Sequence, residues 1–210
     1  MSVPTRSSAM KVLCLRVVLW LLITNGVAGA AAGKRIAVEN REILGITLGR
    51  STTDDVKRVL GPAPIQELPP QGEMATSCYV STGSDKTMLQ FYVWFEPIRF
   101  RLSRSSATSD LSCTSSPLVS DKLGTRSGLK LGMLRDQVIK ILGRPTKIDG
   151  GRLVYESSHD RPVTPDERKR RDKEGGPPWP VKSVHVDDRI VLEFVGSEVV
   201  SVDVLHNETD

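Results

Sequence analysis

Two short stretches of the chain place imidazoles next to carboxylates. One is His159-Asp160, and the other runs from His185 to Asp187 and Asp188. Such groups can bind a divalent metal ion or form an acid–base pair. Metal centres usually have tightly clustered ligands, whereas these stretches lie beside a loop and near the starts of strands. We therefore expect no metal ion, no cofactor and no catalytic residue, and keep an enzyme that needs His185 or Asp187 as an alternative.

Sequence motifs for nucleophilic or phosphate chemistry are absent. The chain has no Gly-x-Ser-x-Gly, no Gly-x-x-x-x-Gly-Lys-Ser/Thr and no Gly-x-Gly-x-x-Gly. These patterns build a strained serine turn or a cradle of backbone N–H groups around phosphates. Their absence is why we do not expect an enzyme.

Aromatic side chains are the strongest candidates for contacts with a partner. Tyr92 and Trp94 lie on the face of a strand opposite Leu89 and Phe91, so they either project from an exposed sheet face or pack between two units. Trp179 lies between prolines in a charged segment, residues 157–182. That segment is either a solvated loop or a partner-binding loop.

The first thirty residues carry the pattern of a secretory signal. Arg6, Lys11 and Arg16 precede or open an apolar run, and Ala28-Gly29-Ala30 fits a cleavage site. The apolar run is short for a membrane span, which needs about 20 residues, so we expect no stable span after cleavage. We predict a periplasmic or secreted protein, and keep an uncleaved signal that serves as an N-terminal anchor as the alternative.

Charge argues against nucleic acid as a partner. The chain has 29 basic and 25 acidic residues, and the signal region contains three of the basic ones. The mature chain is therefore close to neutral, without the basic excess that phosphate binding requires.

Two cysteines remain after the signal, Cys78 and Cys113. Exported proteins meet oxidising conditions, in which a pair of cysteines forms a disulfide. A redox or metal-binding thiol pair is the alternative, but the chain has no Cys-x-x-Cys motif. We predict a structural disulfide.

An internal repeat organises the chain. The stretches that begin at Leu44 and at Ser127 share glycines and aliphatic residues in the same order. The motif residues are Gly45, Leu48, Gly49, Val56, Leu60 and Gly61 in the first copy, and Gly128, Leu131, Gly132, Val138, Leu142, Gly143 and Pro145 in the second. The aliphatic spacing predicts one short helix in each copy, ended by Gly61 or Gly143. Ser51 and Asp54 resemble a capping box for the first helix.

The repeat predicts an α+β fold of two tandem units. Each unit would be a short helical segment packed on an antiparallel sheet of about three to four strands. The expected boundaries are 1–30 for the signal, 31–125 for the first unit and 126–210 for the second. Expected strands include Ser77–Ser81, Thr87–Phe95, Ile98–Ser103, Arg152–Glu156, Arg189–Phe194 and Glu198–Leu205.

The motif Gly-x-x-Leu-Gly, a short helix and then Leu142-Gly143-Arg144-Pro145 resembles that of the SmpA/OmlA (BamE-like) envelope proteins. It is also similar to the tandem units of the β-lactamase inhibitor protein. The resemblance covers about twenty residues in each copy and implies non-enzymatic protein binding: stabilising outer-membrane assembly machinery, or blocking an enzyme cleft. It transfers no functional residue, because the matching residues belong to the scaffold. The expected partner is another protein of the cell envelope. An assembly factor or scaffold is our first hypothesis, and an inhibitor of an exported hydrolase or penicillin-binding enzyme is the alternative.

Overall fold

A computed structural model describes residues 35–67, 75–93, 96–104, 112–173 and 181–209. The described residues fall in one compact unit. The expected signal region, Trp94 and Trp179 lie outside them. Among the helices of the described part, none is long and apolar enough to cross a bilayer.

The described part contains one 3-10 helix, three α-helices and eleven strands. The helices are the 3-10 helix Val38–Arg41, α1 Thr53–Leu60, α2 Arg135–Leu142 and α3 Pro165–Lys173. The strands of the first half are β1 Glu42–Ile43, β2 Ile46–Thr47, β3 Ile65–Glu67, β4 Ala75–Ser81, β5 Thr87–Val93, β6 Pro97–Arg104 and β7 Thr114–Ser116. Those of the second half are β8 Lys147–Asp149, β9 Arg152–Pro162, β10 Ser183–Val195 and β11 Glu198–Thr209.

Nine of these strands form a single sheet. Its order is β3-β4-β5-β6-β11-β10-β9-β8, with antiparallel neighbours throughout, and β7 pairs with β4 in parallel. β1 and β2 form a separate two-stranded ladder. The two halves of the sheet meet where β6 pairs with β11, from Arg99 opposite Leu205 to Ser103 opposite Ser201.

The expectation of two helix-on-sheet units is therefore wrong. The chain is mostly β, and strands from both of its halves share one continuous sheet. β6 and β11 are long, and in separate units each would expose a row of unpaired backbone groups. Pairing β6 with β11 satisfies both rows and gives one core instead of two.

The core lies on one side of this sheet, named here the inner face. Leu89 and Phe91 from β5 and Phe100 from β6 are fully buried there, together with Val56 from α1 and Val138 from α2. Strand side chains alternate in direction, so every second residue points to the opposite side, named the outer face.

The repeated motif produces the same local arrangement twice. The N–H of Gly61 bonds to the Lys57 carbonyl at the end of α1, and the N–H of Gly143 bonds to the Ile139 carbonyl at the end of α2. The hydroxyl of Tyr79 donates to the Gly61 carbonyl at 2.9 Å, and that of Tyr155 to the Gly143 carbonyl at 3.1 Å. Each glycine therefore ties a helix end to the sheet.

The start of α1 differs from the expectation by one residue. The capping box joins Thr52 and Asp55 rather than Ser51 and Asp54, with the Asp55 N–H bonded to the Thr52 hydroxyl at 3.2 Å. The Asp55 carboxylate in turn accepts a bond from the Thr52 N–H at 2.8 Å. The hydroxyl of Ser51 instead accepts from the Thr47 N–H at 3.0 Å, which removes it from the capping role.

The predicted disulfide agrees with the structure. Cys78 on β4 and Cys113, just before β7, lie at disulfide distance with their Cα atoms 4.5 Å apart. The link pins the short parallel strand β7 beside β4.

Candidate protein-binding face

The outer face carries charged and polar side chains over its central strands. Alternation places Tyr92 of β5, Arg99 and Arg101 of β6, Asp203 and Leu205 of β11, Arg189, Val191 and Glu193 of β10, and Glu156 of β9 on this side. All of these residues are half-buried or exposed. The pairing registers bring them together from strands distant in sequence.

A depression of about 290 Å³ opens on this face. Four arginines, two carboxylates and two aliphatic residues line it: Arg99, Arg101, Arg152, Arg189, Glu193, Asp203, Val191 and Leu205. It crosses the β6–β11 pairing, so both halves of the sheet contribute to it.

Arg99 is held across the β6–β11 pairing by two bonds to Asp203. Its Nε donates to Asp203 Oδ1 at 2.7 Å, and its Nη2 donates to the other carboxylate oxygen. The hydrogen bonds to Asp203 raise the pKa of Arg99 above its usual value, although burial works in the opposite direction. Two-point arginine–carboxylate pairing fixes the plane of the guanidinium.

Arg101 reaches across β11 to β10. Its Nε donates to the Ser201 hydroxyl at 3.1 Å and its Nη2 to Glu193 Oε2 at 3.0 Å. These bonds hold a long flexible side chain in place, which lowers the entropy that binding a partner would cost.

Of the three aromatic residues predicted to contact a partner, Tyr92 is the one that lies within the described residues. It lies on the outer face, half-buried. The guanidinium of Arg99 stacks over its ring, 4.6 Å from the centroid. Tyr92 therefore lies on the predicted face but packs against an arginine, and Trp94 and Trp179 are outside the described residues.

The structure brings together the residues considered for chemistry at His185. His185 Nδ1 lies 2.7 Å from Asp160 Oδ1, and His185 Nε2 lies 2.7 Å from the Ser158 hydroxyl. Ser158 also donates to Asp187 Oδ1 at 2.6 Å. The hydrogen bond to Asp160 is the main reason that the pKa of His185 lies above its usual value.

This cluster does not have the arrangement of a metal centre. Asp160 and Asp187 approach opposite nitrogens of His185, so they cannot share one ion with it. No group of three or more histidine, cysteine or acidic residues suited to a metal occurs in the described ranges. His159, next to Asp160 in sequence, points to the inner face in alternation with it.

Sequence reasoning missed a buried polar cluster on the inner face around His206. This imidazole is only 4% exposed, and its Nδ1 lies 2.7 Å from Asp188 and its Nε2 3.1 Å from Glu208. Arg41, from the 3-10 helix, lies 3.1 Å from Asp188. Burial opposes the charged imidazole, yet bonds to the two carboxylates hold the pKa of His206 above its usual value.

The cluster continues to α3 through Arg161. The Arg161 Nε donates to Glu208 at 3.0 Å, and its Nη2 donates to Glu167 at 2.6 Å. Burial raises the pKa of Glu208, but bonds from His206 and Arg161 outweigh it and lower that pKa to about 2. Alternation along β11 could have revealed this cluster from the sequence. It places His206 on the same strand face as the buried residues Val202 and Val204.

Comparison of the chain with family models, with curated proteins and with solved structures finds no match.

Proposed function

We propose that this chain is an exported, non-enzymatic module that binds another protein of the cell envelope through its outer face. One observation carries the proposal: two arginines of β6 are held by carboxylates of β11 and β10 around a shared depression, beside Tyr92. Arginine and tyrosine are enriched among the residues that dominate binding energy at protein interfaces.

Two further observations support this proposal. The Leu-Gly-x-Pro motif resembles that of envelope proteins that work by binding other proteins. The Cys78–Cys113 pair lies at disulfide distance, and disulfides persist in oxidising compartments such as the periplasm. An assembly factor or scaffold remains the first form of the proposal, and an inhibitor of an exported hydrolase is the second.

Site-specific photocrosslinking in the native envelope tests the face. A photoreactive phenylalanine analogue replaces Tyr92 in the full chain, and the same analogue replaces the exposed residue Lys130 as a control. We expect a discrete crosslinked product from position 92 and none from position 130. Equal products from both positions, or none from position 92, would contradict the proposal.

The identity of the crosslinked protein separates the two forms. Outer-membrane assembly components would support the scaffold. A single hydrolase or penicillin-binding enzyme would support the inhibitor, and the purified chain should then block that enzyme at stoichiometric amounts.

A second candidate function, hydrolysis, is favoured by the row Ser158–His185–Asp160. Its hydroxyl, imidazole and carboxylate follow the order of a serine triad, with both distances at 2.7 Å. The bond from Ser158 to Asp187 competes with this use, because it directs the hydroxyl proton away from the imidazole. A fluorophosphonate probe should label Ser158 in the wild type and lose that label in His185→Ala. Absence of label on Ser158 removes this candidate.

A further inference from the structure

The depression on the outer face has an unbalanced set of charges. Four arginines and two carboxylates line it, which leaves an excess of two positive charges. Asp203 is occupied by Arg99, and Glu193 by Arg101. Arg152 and Arg189 are therefore the lining arginines without a carboxylate partner in the lining itself.

Arg152 and Arg189 have acidic partners that do not line the depression. Arg189 Nε lies 3.2 Å from Glu156 Oε1, and Arg152 Nη2 lies 3.1 Å from Asp149 Oδ2. Within the described part of the chain, Arg189 makes its ion pair through Nε alone. A guanidinium has five N–H donors in a planar fork, so its two terminal nitrogens keep donors for a ligand.

The volume and the lining of the depression limit which ligands it can bind. Its volume of about 290 Å³ is at or below the lower end for small-molecule sites, which is roughly 300 Å³. The aliphatic side chains of Val191 and Leu205 contribute apolar surface. A short aliphatic stem that ends in an anion matches both the apolar surface and the arginines.

We propose that the depression receives an acidic side chain, of the glutamate or aspartate type, from the protein that docks on the outer face. Arg189 binds the carboxylate through its terminal nitrogens, while Arg99 and Arg101 are positioned beside it by their own carboxylates. This inference rests on the proposed protein-binding function. It adds that the partner presents a carboxylate to the β6–β11 region of the sheet.

The test is an NMR titration of the exported full chain with its disulfide intact. The probe is N-acetyl-glutamate N-methylamide, and the matched neutral probe is N-acetyl-glutamine N-methylamide. We expect the glutamate probe to shift the Nε–H signal of Arg189 saturably. Arg126, an exposed arginine paired with Glu42 at 3.0 Å, reports nonspecific association and should not shift.

Variants give the second measurement. Arg189→Gln should weaken binding of the glutamate probe about tenfold, the scale expected for a lost hydrogen bond to a charged group. Arg126→Gln should leave it unchanged. The proposal is overturned if Arg189 shows no saturable shift, if the glutamine probe binds equally well, or if both variants have the same effect.

The crosslinked partner distinguishes failure of this inference from failure of the function. If that partner binds Arg189→Gln as strongly as the wild type, the protein-binding function stands and the acidic-side-chain inference is overturned. If position 92 yields no crosslinked partner, the protein-binding function is what fails.

Discussion

Gly49 packs directly against the imidazole of His206. A Cβ at position 49 would overlap the Cδ2 and Nε2 atoms of that ring, and the backbone of Gly49 also has a positive φ of 73°. A motif glycine of the first repeat copy thus closes one side of the buried cluster on β11. Its counterpart Gly132 has a similar φ of 76° but no neighbour within 4 Å of an added Cβ.

Gly49 and Gly132 together provide a matched test of the contact between Gly49 and His206. Gly49→Ala should lower the free energy of unfolding by about 2 to 4 kcal/mol, because it adds overpacking to backbone strain. Gly132→Ala carries only the strain and should cost about 1 kcal/mol. Urea unfolding of both variants measures the difference, and equal losses would show that the ring contact is not significant.

Stability should pass through a maximum in mildly acidic solution. The folded pKa of His206 lies above its ordinary value of 6.5, so its contribution is complete below 6.5 and is lost as the pH rises through the folded pKa. The pKa of Glu208 falls from 4.5 to about 2, so its contribution is complete above 4.5 and is lost as the pH falls towards 2.

Chemical unfolding across this pH range measures both sides of the maximum. On the acid side we expect a loss on the order of 1 to 2 kcal/mol from Glu208, less than its full pKa shift would give, because the residue is partly exposed and solvent screens its ion pairs. Glu167, whose pKa is lowered to about 2 chiefly by its bond from Arg161, contributes in the same direction. Arg161→Gln should flatten the acid side, and an unchanged acid slope in that variant would contradict the assignment.

The hydrogen bond to Asp160 should set the titration of His185. NMR titration of the wild type should give a His185 pKa above 6.5, because the bond to the Asp160 carboxylate favours the charged imidazole. Asp160→Asn should bring it down towards 6.5. Asp187→Asn is the control and should lower it less; a larger effect of Asp187→Asn would reverse the assignment.

Removing the Cys78–Cys113 link should destabilise the fold without changing the outer-face charges. The link closes a loop with a sequence separation of 35 residues, for which chain entropy predicts about 3 to 4 kcal/mol. The double variant Cys78→Ser and Cys113→Ser, unfolded thermally beside the wild type, measures this loss. An unchanged melting temperature in reductant would contradict a structural disulfide.

The hydroxyl groups of Tyr79 and Tyr155, which bond to the helix-ending glycines, should contribute equally to the free energy of unfolding. Tyr79→Phe and Tyr155→Phe each delete one hydroxyl bonded to a carbonyl, at 2.9 and 3.1 Å. Each variant should lose about 0.5 to 1.5 kcal/mol of unfolding free energy. A loss in only one variant would show that the helix attachments differ in strength.

Local features were predictable from sequence, because the signals for them are local. The aliphatic spacing around Val56 and Val138 indicated both short helices, and both are found. Alternation in Leu89 to Phe91 indicated the strand now described as Thr87–Val93. The cap of α1 was wrong by one residue because Ser51 and Thr52 are both chemically able to cap.

The sheet and the sites depend on pairings that no local pattern specifies. Alternation shows that β6 and β11 are strands, but not that Arg101 lies opposite Asp203. For the same reason the arginine depression and the His206–Asp188 contact were missed. The prediction placed the start of β10 at Arg189, but the strand already begins at Ser183. In this first part of the strand, Val184 and Val186 pack in a small second apolar cluster, while His185 and Asp187 lie on the opposite side.

The position of the depression across the β6–β11 pairing has a consequence for the whole chain. Neither half of the polypeptide carries the complete set of lining arginines, since Arg99 comes from β6 and Arg189 from β10. A bound partner would therefore bridge the two halves and oppose their separation. By mass action, the melting temperature would then rise with the concentration of the partner. Binding of the partner would thus stabilise the pairing of the two halves.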